Sequence, residues 1–153
     1  SYLEFELNDD NTYSVVGLTK EVEVVTIPSK YNNRSVTAIE HDFLSECEKP
    51  KILKIPDSII KMYSASCPSL ESINVDINNK SYKSINGVLY SNDMKTLIYC
   101  PKAKKGIFNI PTSVLHISDY AFYDCNQLEK VILHKNIISI GKEAFTGCKF
   151  ENK

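Results

Sequence analysis

The chain has 153 residues, of which 42% are apolar and 24% are charged, and its formal net charge is -1. This length is enough for one compact domain with its own core, and the composition is that of an ordinary globular protein. A net charge this close to zero provides no field for a polyanion, so nucleic acid is not an expected partner. The apolar runs span only a few residues each, which excludes membrane insertion in this segment, and no stretch has the pattern of a signal peptide.

The amino-terminal residues predict a β-hairpin. The run LEFEL alternates apolar and polar residues, a polar turn NDDN follows, and Tyr13 and Val15 resume the alternation. A period of two is typical of a strand with one buried face. We therefore expect a hairpin cap over residues 1–22, ahead of the first repeat.

Beyond this cap one short pattern recurs, most clearly in residues 110–148. When the chain is shifted by 23 residues, seven apolar positions of one copy fall on apolar positions of the next. The pairs are Ile110 with Leu133, Val114 with Ile137, Leu115 with Ile138, Ile117 with Ile140, Ala121 with Ala144, Phe122 with Phe145, and Cys125 with Cys148. The polar residues between them vary, which indicates that each copy adds the same apolar face to one shared core.

Each copy contains two short apolar runs and a turn. The first runs are EVVTI, KILKI, ESINV, GIFNI and EKVIL, and three of them end before a proline, which suits a strand end. We expect about five repeats over residues 23–150, with parallel strands about 4.8 Å apart. The alternation predicts that Val131 and Leu133 point inward. The turns should be short helical or 3₁₀ segments, and Phe122 and Phe145 should stack in one core column.

The copies differ in length at their loops. The first carries extra residues, YNNRS, and the turn of the second is about three residues short, so Cys67 comes early. The third contains SINGVLYSNDMKTLIYCPKAKK, in which VLY and TLIY flank a polar SNDMK. This segment predicts one inserted β-hairpin, with Asn86-Gly87 as a tight turn before it.

The repeat L-x-x-V-x-I-P-x-x-V-x-x-I-(G)-x-x-A-F-x-x-C resembles the BspA-like class of leucine-rich repeats, found in surface proteins of anaerobic bacteria and mucosal protozoa. The match covers roughly residues 13–150. The second repeat departs from it, with Met62 in place of isoleucine and no Ala-Phe pair, and Cys100 stands where tyrosine is commoner. The resemblance implies a leucine-rich-repeat solenoid of the β-rich α/β horseshoe type, as a single domain over residues 1–153.

Four of the five cysteines occupy the same repeat position, which a catalytic nucleophile has no reason to do; they are Cys47, Cys67, Cys125 and Cys148. We interpret them as small apolar residues of a stacked core column. Disulfides between neighbouring repeats are not expected, because parallel side chains keep the β-carbons about 4.8 Å apart, beyond the usual ~3.8 Å. No cofactor or metal motif is present in the sequence.

The three histidines, His41, His116 and His134, occupy three different repeat positions, and we interpret them as surface residues. An enzyme with an unrecognised site stays open as an alternative; it predicts a pocket that gathers a histidine with a thiol or carboxylates. Two N-x-S sequons, at Asn33 and Asn79, fall in predicted loops and are candidate glycan acceptors if the source has a eukaryotic secretory route.

The outer face of the first strands is the candidate partner-binding surface. One outward column holds three aliphatic residues, more than a purely solvated sheet needs. The candidate residues are Val24, Ile52, Ser72, Ile107 and Lys130 in that column, and Thr26, Lys54, Asn74, Asn109 and Ile132 in the second column. Repeat solenoids bind partners through extended regular surfaces of this kind.

The resemblance implies a function in adhesion. BspA-like proteins are associated with binding to host proteins, matrix or other cells, which predicts a non-enzymatic module with a protein ligand at an extracellular or cell-surface location. A purely structural spacer within a larger surface protein is the alternative. The last repeat has no polar cap in the sequence, so we also expect end-to-end contact through it.

Overall fold

The structure is a computed structural model that describes residues 1–62 and 64–150. These residues form fourteen strands and no helix. Four repeats contribute two short strands each to two separate parallel ladders, called ladder A for the first strand and ladder B for the second. The second repeat contributes β6 (Ile52–Ile55) to ladder A and joins ladder B only through an isolated bridge between Ala38 and Lys61. The solenoid of stacked repeats predicted from the sequence is thereby confirmed. No helix capable of crossing a membrane occurs in the described residues.

Ladder A consists of two parallel groups of strands. In the first group, β3 (Val24–Thr26), β6 (Ile52–Ile55) and β7 (Ser72–Val75) pair in order, and in the second, β11 (Gly106–Asn109) pairs with β13 (Leu128–Ile132). The register places Val25, Leu53 and Ile73 side by side, and all three are fully buried. The residues on either side of each face outward, as a period of two requires.

Ladder B begins at the amino-terminal hairpin. As predicted, β1 (Leu3–Leu7) pairs antiparallel with β2 (Tyr13–Leu18), and β2 then pairs in parallel with β5 (Arg34–Ile39). The extra residues of the first repeat form a small hairpin of β4 (Lys30–Tyr31) with β5. Further along the solenoid, β10 (Thr96–Tyr99), β12 (His116–Ile117) and β14 (Ser139–Ile140) continue the parallel stack.

The insertion in the third repeat forms more structure than the single predicted hairpin. The predicted hairpin is present as β9 (Val88–Ser91) and β10, and a further strand, β8 (Tyr82–Ile85), pairs with β9 across the Asn86-Gly87 turn. Both turn residues have positive φ, 51° and 80°, as a two-residue hairpin turn requires. The result is a three-stranded antiparallel meander whose last strand belongs to ladder B.

This meander interrupts ladder A. Its turn lies against β7, where the Ile73 N–H donates to the Gly87 carbonyl at 2.9 Å. A β-carbon on Gly87 would approach the Ser72 hydroxyl to 2.7 Å, so only glycine fits there. The edge of β7 is thus occupied by the insertion, and ladder A resumes only at β11.

Asn79 anchors the start of the insertion. Its buried side-chain amide donates to the carbonyls of Pro56 at 2.9 Å and Ile59 at 3.0 Å, and its side-chain oxygen accepts from the N–H groups of Ser81 and Tyr82. A glycan on this nitrogen would remove donors that hold two repeats together. The other sequon residue, Asn33, is exposed in the turn between β4 and β5.

The turns that close the repeats are not the short helical or 3₁₀ segments that the sequence predicts. In the turn over residues 118–125, every second N–H bonds to the carbonyl three residues earlier, as Ala121 does to Ser118 at 3.2 Å. The N–H groups in between bond to the next turn, and that of Phe122 donates to the Ala144 carbonyl at 2.8 Å. A 3₁₀ helix needs consecutive i→i+3 bonds. The turns of the fourth and fifth repeats instead form a third stack that is joined by backbone hydrogen bonds.

The last repeat keeps the apolar pattern but not the burial. Ile117 is 2% exposed where its counterpart Ile140 is 49% exposed, and Ile110 is 5% exposed where Leu133 is 47% exposed. The prediction that Leu133 is buried is therefore wrong. The reason is that a repeat buries its apolar face only against neighbours, and no described residue covers this one on its outer side.

Removal of the Phe122 ring should destabilise the domain. The ring is completely buried and stacks on Phe145, with 5.1 Å between centroids and 12° between planes, as the predicted core column requires. We expect Phe122→Ala to lower the free energy of unfolding by about 3–5 kcal/mol, measured by urea denaturation. Phe145→Ala is the matched control, and its loss should be clearly smaller because that ring is only half-buried. Equal losses of unfolding free energy in the two variants would contradict the expectation that the more deeply buried Phe122 ring contributes more.

Candidate functional site

The structure places the ten candidate residues of the outer face in register. Val24 lies opposite Ile52 and Ile52 opposite Ser72, while Ile107 lies opposite Lys130. The second column pairs in the same way: Thr26 with Lys54, Lys54 with Asn74, and Asn109 with Ile132. Eight of the ten are exposed; Ile52 and Ser72 are half-buried. The outward columns of the sequence thus exist, although the insertion separates them into two groups.

Each group carries a shallow depression. The first platform, formed by β3, β6 and β7, has a depression of about 340 Å³ that Thr26, Lys54 and Asn74 line together with Asp76. The second platform, formed by β11 and β13, has one of about 810 Å³. Its lining includes Ile107, Lys130, Lys149 and Phe150. The first platform is mainly polar, whereas the second combines exposed apolar side chains with lysines.

A third concave site, the turn-side cleft, lies beside ladder B and has a volume of about 870 Å³. The turn of the first repeat lines it with His41 and Asp42, and the turn of the fourth repeat lines it with Tyr120 and Tyr123. The second and third repeats contribute shorter chain segments between these turns, including Ser64, Ser66 and Lys102. A gap therefore stays open between two full-length turns.

None of the outer-face residues lines this cleft. Two features of the sequence indicate where the cleft lies: the shortened turn before Cys67 and the insertion that replaces the third turn. In a stack of repeats, a shortened turn leaves a gap between the full-length turns of the repeats on either side. Differences in length between the repeats thus mark the position of the cleft.

The charges in the cleft are largely satisfied within the chain. The Lys102 ammonium lies 3.2 Å from the Ser66 hydroxyl and 5.6 Å above the centre of the Tyr123 ring. The His41 Nδ1 lies 2.9 Å from an Asp42 carboxylate oxygen. Asp119 accepts the N–H of Lys142 at 2.7 Å. The charged side chains that line the cleft are therefore hydrogen-bonded within the chain.

The described hydrogen bonds of the histidines do not join a nucleophile, a base and an orienting carboxylate in one continuous network. His116 Nδ1 lies 2.6 Å from the Ser139 hydroxyl, but none of its described hydrogen bonds reaches a carboxylate that would orient the ring. The cleft does gather His41 and His116 with Asp42 and Asp119, as the enzyme alternative predicts for a site, yet no cysteine lines it.

His134 has a structural role. Its Nε2–H donates to the Pro111 carbonyl at 2.9 Å, and its Nδ1 accepts the N–H of Asn136 at 3.2 Å. Both ring nitrogens are therefore occupied at the corner where other repeats have proline. Within residues 1–62 and 64–150, no group of three or more histidine, cysteine or acidic side chains is placed to hold a metal ion.

The cysteines are free thiols in the core column, as predicted. Cys67, Cys100 and Cys125 are fully buried, and Cys47 and Cys148 are half-buried. The thiols of Cys67, Cys125 and Cys148 donate to carbonyls of neighbouring repeats, and that of Cys148 reaches the Phe122 carbonyl at 3.1 Å. Burial raises the pKa of Cys148 to about 11 and also raises that of Cys47. A raised pKa keeps a thiol protonated at neutral pH and lowers its reactivity.

The sequence matches the family model described as BspA type leucine rich repeat region, in six copies over residues 19–107 and 93–153. No curated protein is significantly similar to the chain.

Solved structures share its fold. The pneumococcal vaccine antigen PcpA superposes with a TM-score of 0.70 at 20% identity over 88% of this chain and 40% of that one. A leucine-rich repeat protein of Eubacterium ventriosum gives 0.64 at 21% identity over 97% and 62% of the two chains. One of Bacteroides ovatus gives 0.58 at 24% identity over 97% and 44%. This chain thus spans 40% to 62% of the length of these proteins.

The raised pKa of the Cys148 thiol predicts a loss of stability at alkaline pH. The Cys148 thiol keeps its proton in the folded state, whereas in the unfolded state it releases the proton near its ordinary pKa of 9.0. The stabilisation is therefore complete below pH 9.0 and is lost as the pH rises towards about 11. The urea midpoint should fall between pH 8 and pH 10.5. Cys148→Ser keeps a donor for the Phe122 carbonyl and should show a smaller fall. The same fall in both proteins would contradict the assignment to this thiol.

Proposed function

Because the chain belongs to the BspA-type leucine-rich repeat family, we propose that it is a non-enzymatic protein-interaction module that acts as an adhesin-type domain, outside the cell or at its surface. The observation that carries the proposal is the exposed, in-register outer face of ladder A. Parallel strands fix the spacing of its side chains, so a partner meets a preorganised surface and pays little ordering entropy. The ligand class we propose is a host, matrix or cell-surface protein.

The two platforms contribute different interactions to binding. Exposed Ile107 and Ile132 on the second platform offer apolar contact area, which supplies most of the energy in protein interfaces. Thr26, Lys54 and Asn74 on the first platform offer hydrogen bonds that select the partner. A partner that spans the insertion would touch both.

Binding should depend on residues of both platforms. We expect the wild-type chain to bind at least one member of a panel of matrix proteins and host-cell surfaces, measured by surface plasmon resonance. Lys54→Glu and Ile107→Ser should each weaken that binding by about tenfold or more. The matched controls are Lys83→Glu and Ile77→Ser, which make the same changes at exposed positions outside the platforms.

The outcomes separate the alternatives. No binding by the wild-type chain to any member of the panel would contradict the adhesin proposal. Binding that survives both platform variants would contradict the role of the outer face. A spacer, the alternative reading, predicts that no substitution on the outer face changes any binding activity.

The exposed end of the last repeat supports a second proposal, end-to-end contact with another copy of the chain. Leu133, Ile138 and Ile140 are exposed there, next to the edge strands β13 and β14, whose outer backbone groups are not paired with another described strand. Apolar side chains beside an open strand edge favour association.

Sedimentation velocity over a range of concentrations tests this contact. We expect reversible self-association that Ile138→Lys abolishes, because the lysine places a charge in the apolar end face. Ile77→Lys, a similar change at a highly exposed position elsewhere, should associate as the wild type does. A monomer at all concentrations, or association that Ile138→Lys does not affect, would contradict the proposal.

A further inference from the structure

The chemistry of the turn-side cleft restricts its ligand. Its charged side chains are already engaged: Lys102 by the Ser66 hydroxyl, Asp42 by His41, and Asp119 by a backbone N–H. A single lysine, which also lies 4.0 Å from a carboxylate oxygen of Asp124, gives no field for a phosphate or another polyanion. A neutral ligand therefore fits the cleft better than an anionic one.

The aromatic residues of the cleft present a surface of mixed character. Tyr120 and Tyr123 pack edge to face, with ring centres 5.6 Å apart, and Tyr120 is 40% exposed. Each ring combines an apolar face with a polar tip, which suits a ligand that has both apolar C–H faces and hydroxyl groups. At the equivalent positions of the next repeat, outside the cleft, Glu143 and Thr146 replace the two tyrosines. The aromatic pair is thus specific to the repeat that borders the gap.

Neutral hydrogen-bonding groups surround these rings. The hydroxyls of Ser64, Ser66 and Ser139 line the cleft with His116. Tyr99 lines it as well, and its buried hydroxyl has no hydrogen-bond partner among the described residues. An unsatisfied buried hydroxyl destabilises the folded chain, so a ligand hydroxyl or a retained water that reaches it would be stabilised.

A peptide is the less favourable occupant. Three ladder strands border the cleft, and they are β10, β12 and β14. The first two are hydrogen-bonded to neighbouring strands on both sides, and the open edge of β14 is the one opposite β12, at the end of ladder B. No backbone edge is therefore left between these strands on which a peptide can add as a strand. Recognition in the cleft must come from side chains, and the side chains available are hydroxyls, imidazoles and phenol rings.

We propose that the turn-side cleft is a binding site for a neutral oligosaccharide. The sugar rings lie against Tyr120 and Tyr123, and their hydroxyl groups exchange hydrogen bonds with the serines and His116. The cleft and the two platforms are formed by different residues, so this site acts separately from the protein-binding surface of ladder A.

A glycan array that carries neutral, sialylated and sulfated oligosaccharides tests the proposal with the whole chain. We expect binding to one or more neutral oligosaccharides, followed by titration of the free sugar in a calorimeter. Tyr120→Asn and Tyr123→Thr should each weaken this binding by about tenfold or more. Tyr120 has a φ of 59°, which asparagine tolerates, and threonine is the residue of the next repeat at the other position. Both variants should therefore keep the wild-type thermal stability.

The controls make each outcome decisive. Glu143→Asn and Thr146→Ala change the equivalent positions outside the cleft and should bind the sugar as the wild type does. Lys54→Glu on the first platform should also leave sugar binding intact, so a failure of the adhesin proposal is distinguishable from a failure of this one. Absence of glycan binding, binding of acidic glycans only, or binding that the tyrosine variants leave unchanged would overturn the proposal, as would a peptide that competes for the cleft.

Discussion

The structure depends on one constraint: a repeat of about two dozen residues cannot bury its apolar face alone. The fourth and fifth repeats place Ile, Ala, Phe and Cys at matching positions, and the stacking of Phe122 on Phe145 shows directly how one repeat covers the next. Stacking also satisfies the backbone, because ladder A, ladder B and the turns all form hydrogen bonds from one repeat to the next. Burial and hydrogen bonding therefore favour the same arrangement. Where no described residue covers a repeat, as beside Ile140, the same residue types lie exposed.

The surfaces proposed for binding arise where this regularity is broken. The insertion places the Asn86-Gly87 turn against β7 and divides ladder A into two platforms. The shortened second turn and the replaced third turn leave the turn-side cleft between two full turns. A perfectly regular solenoid would present one uniform face. Insertions and deletions are tolerated because they alter loops and leave the buried positions unchanged, and they give this chain features that its repeats do not share.

The cysteines and histidines are residue types that often take part in catalysis, and in this chain they have structural roles. A nucleophile needs an accessible thiolate and a base, whereas Cys67, Cys100 and Cys125 are buried and donate to neutral carbonyls. His134 uses both nitrogens to replace a corner proline. These cysteines and His134 are therefore engaged in contacts between repeats. The groups that stay available, on the platforms and in the cleft, are suited to binding, which agrees with a module that recognises partners.

The sequence alone determined the solenoid, its parallel strands, the amino-terminal hairpin and the outward columns, because each follows from local alternation and from apolar positions repeated every 23 residues. It did not determine the turn conformation, since the N–H groups of Phe122 and its neighbours find their acceptors in another repeat. It placed Leu133 in the core, because the pattern cannot register whether a neighbour covers that position. Tertiary structure decided the division of ladder A, because the Gly87 carbonyl accepts the Ile73 N–H at the edge of β7. It also decided the turn-side cleft, because His41 and Tyr120 lie far apart in the chain and border one cavity only when the repeats stack.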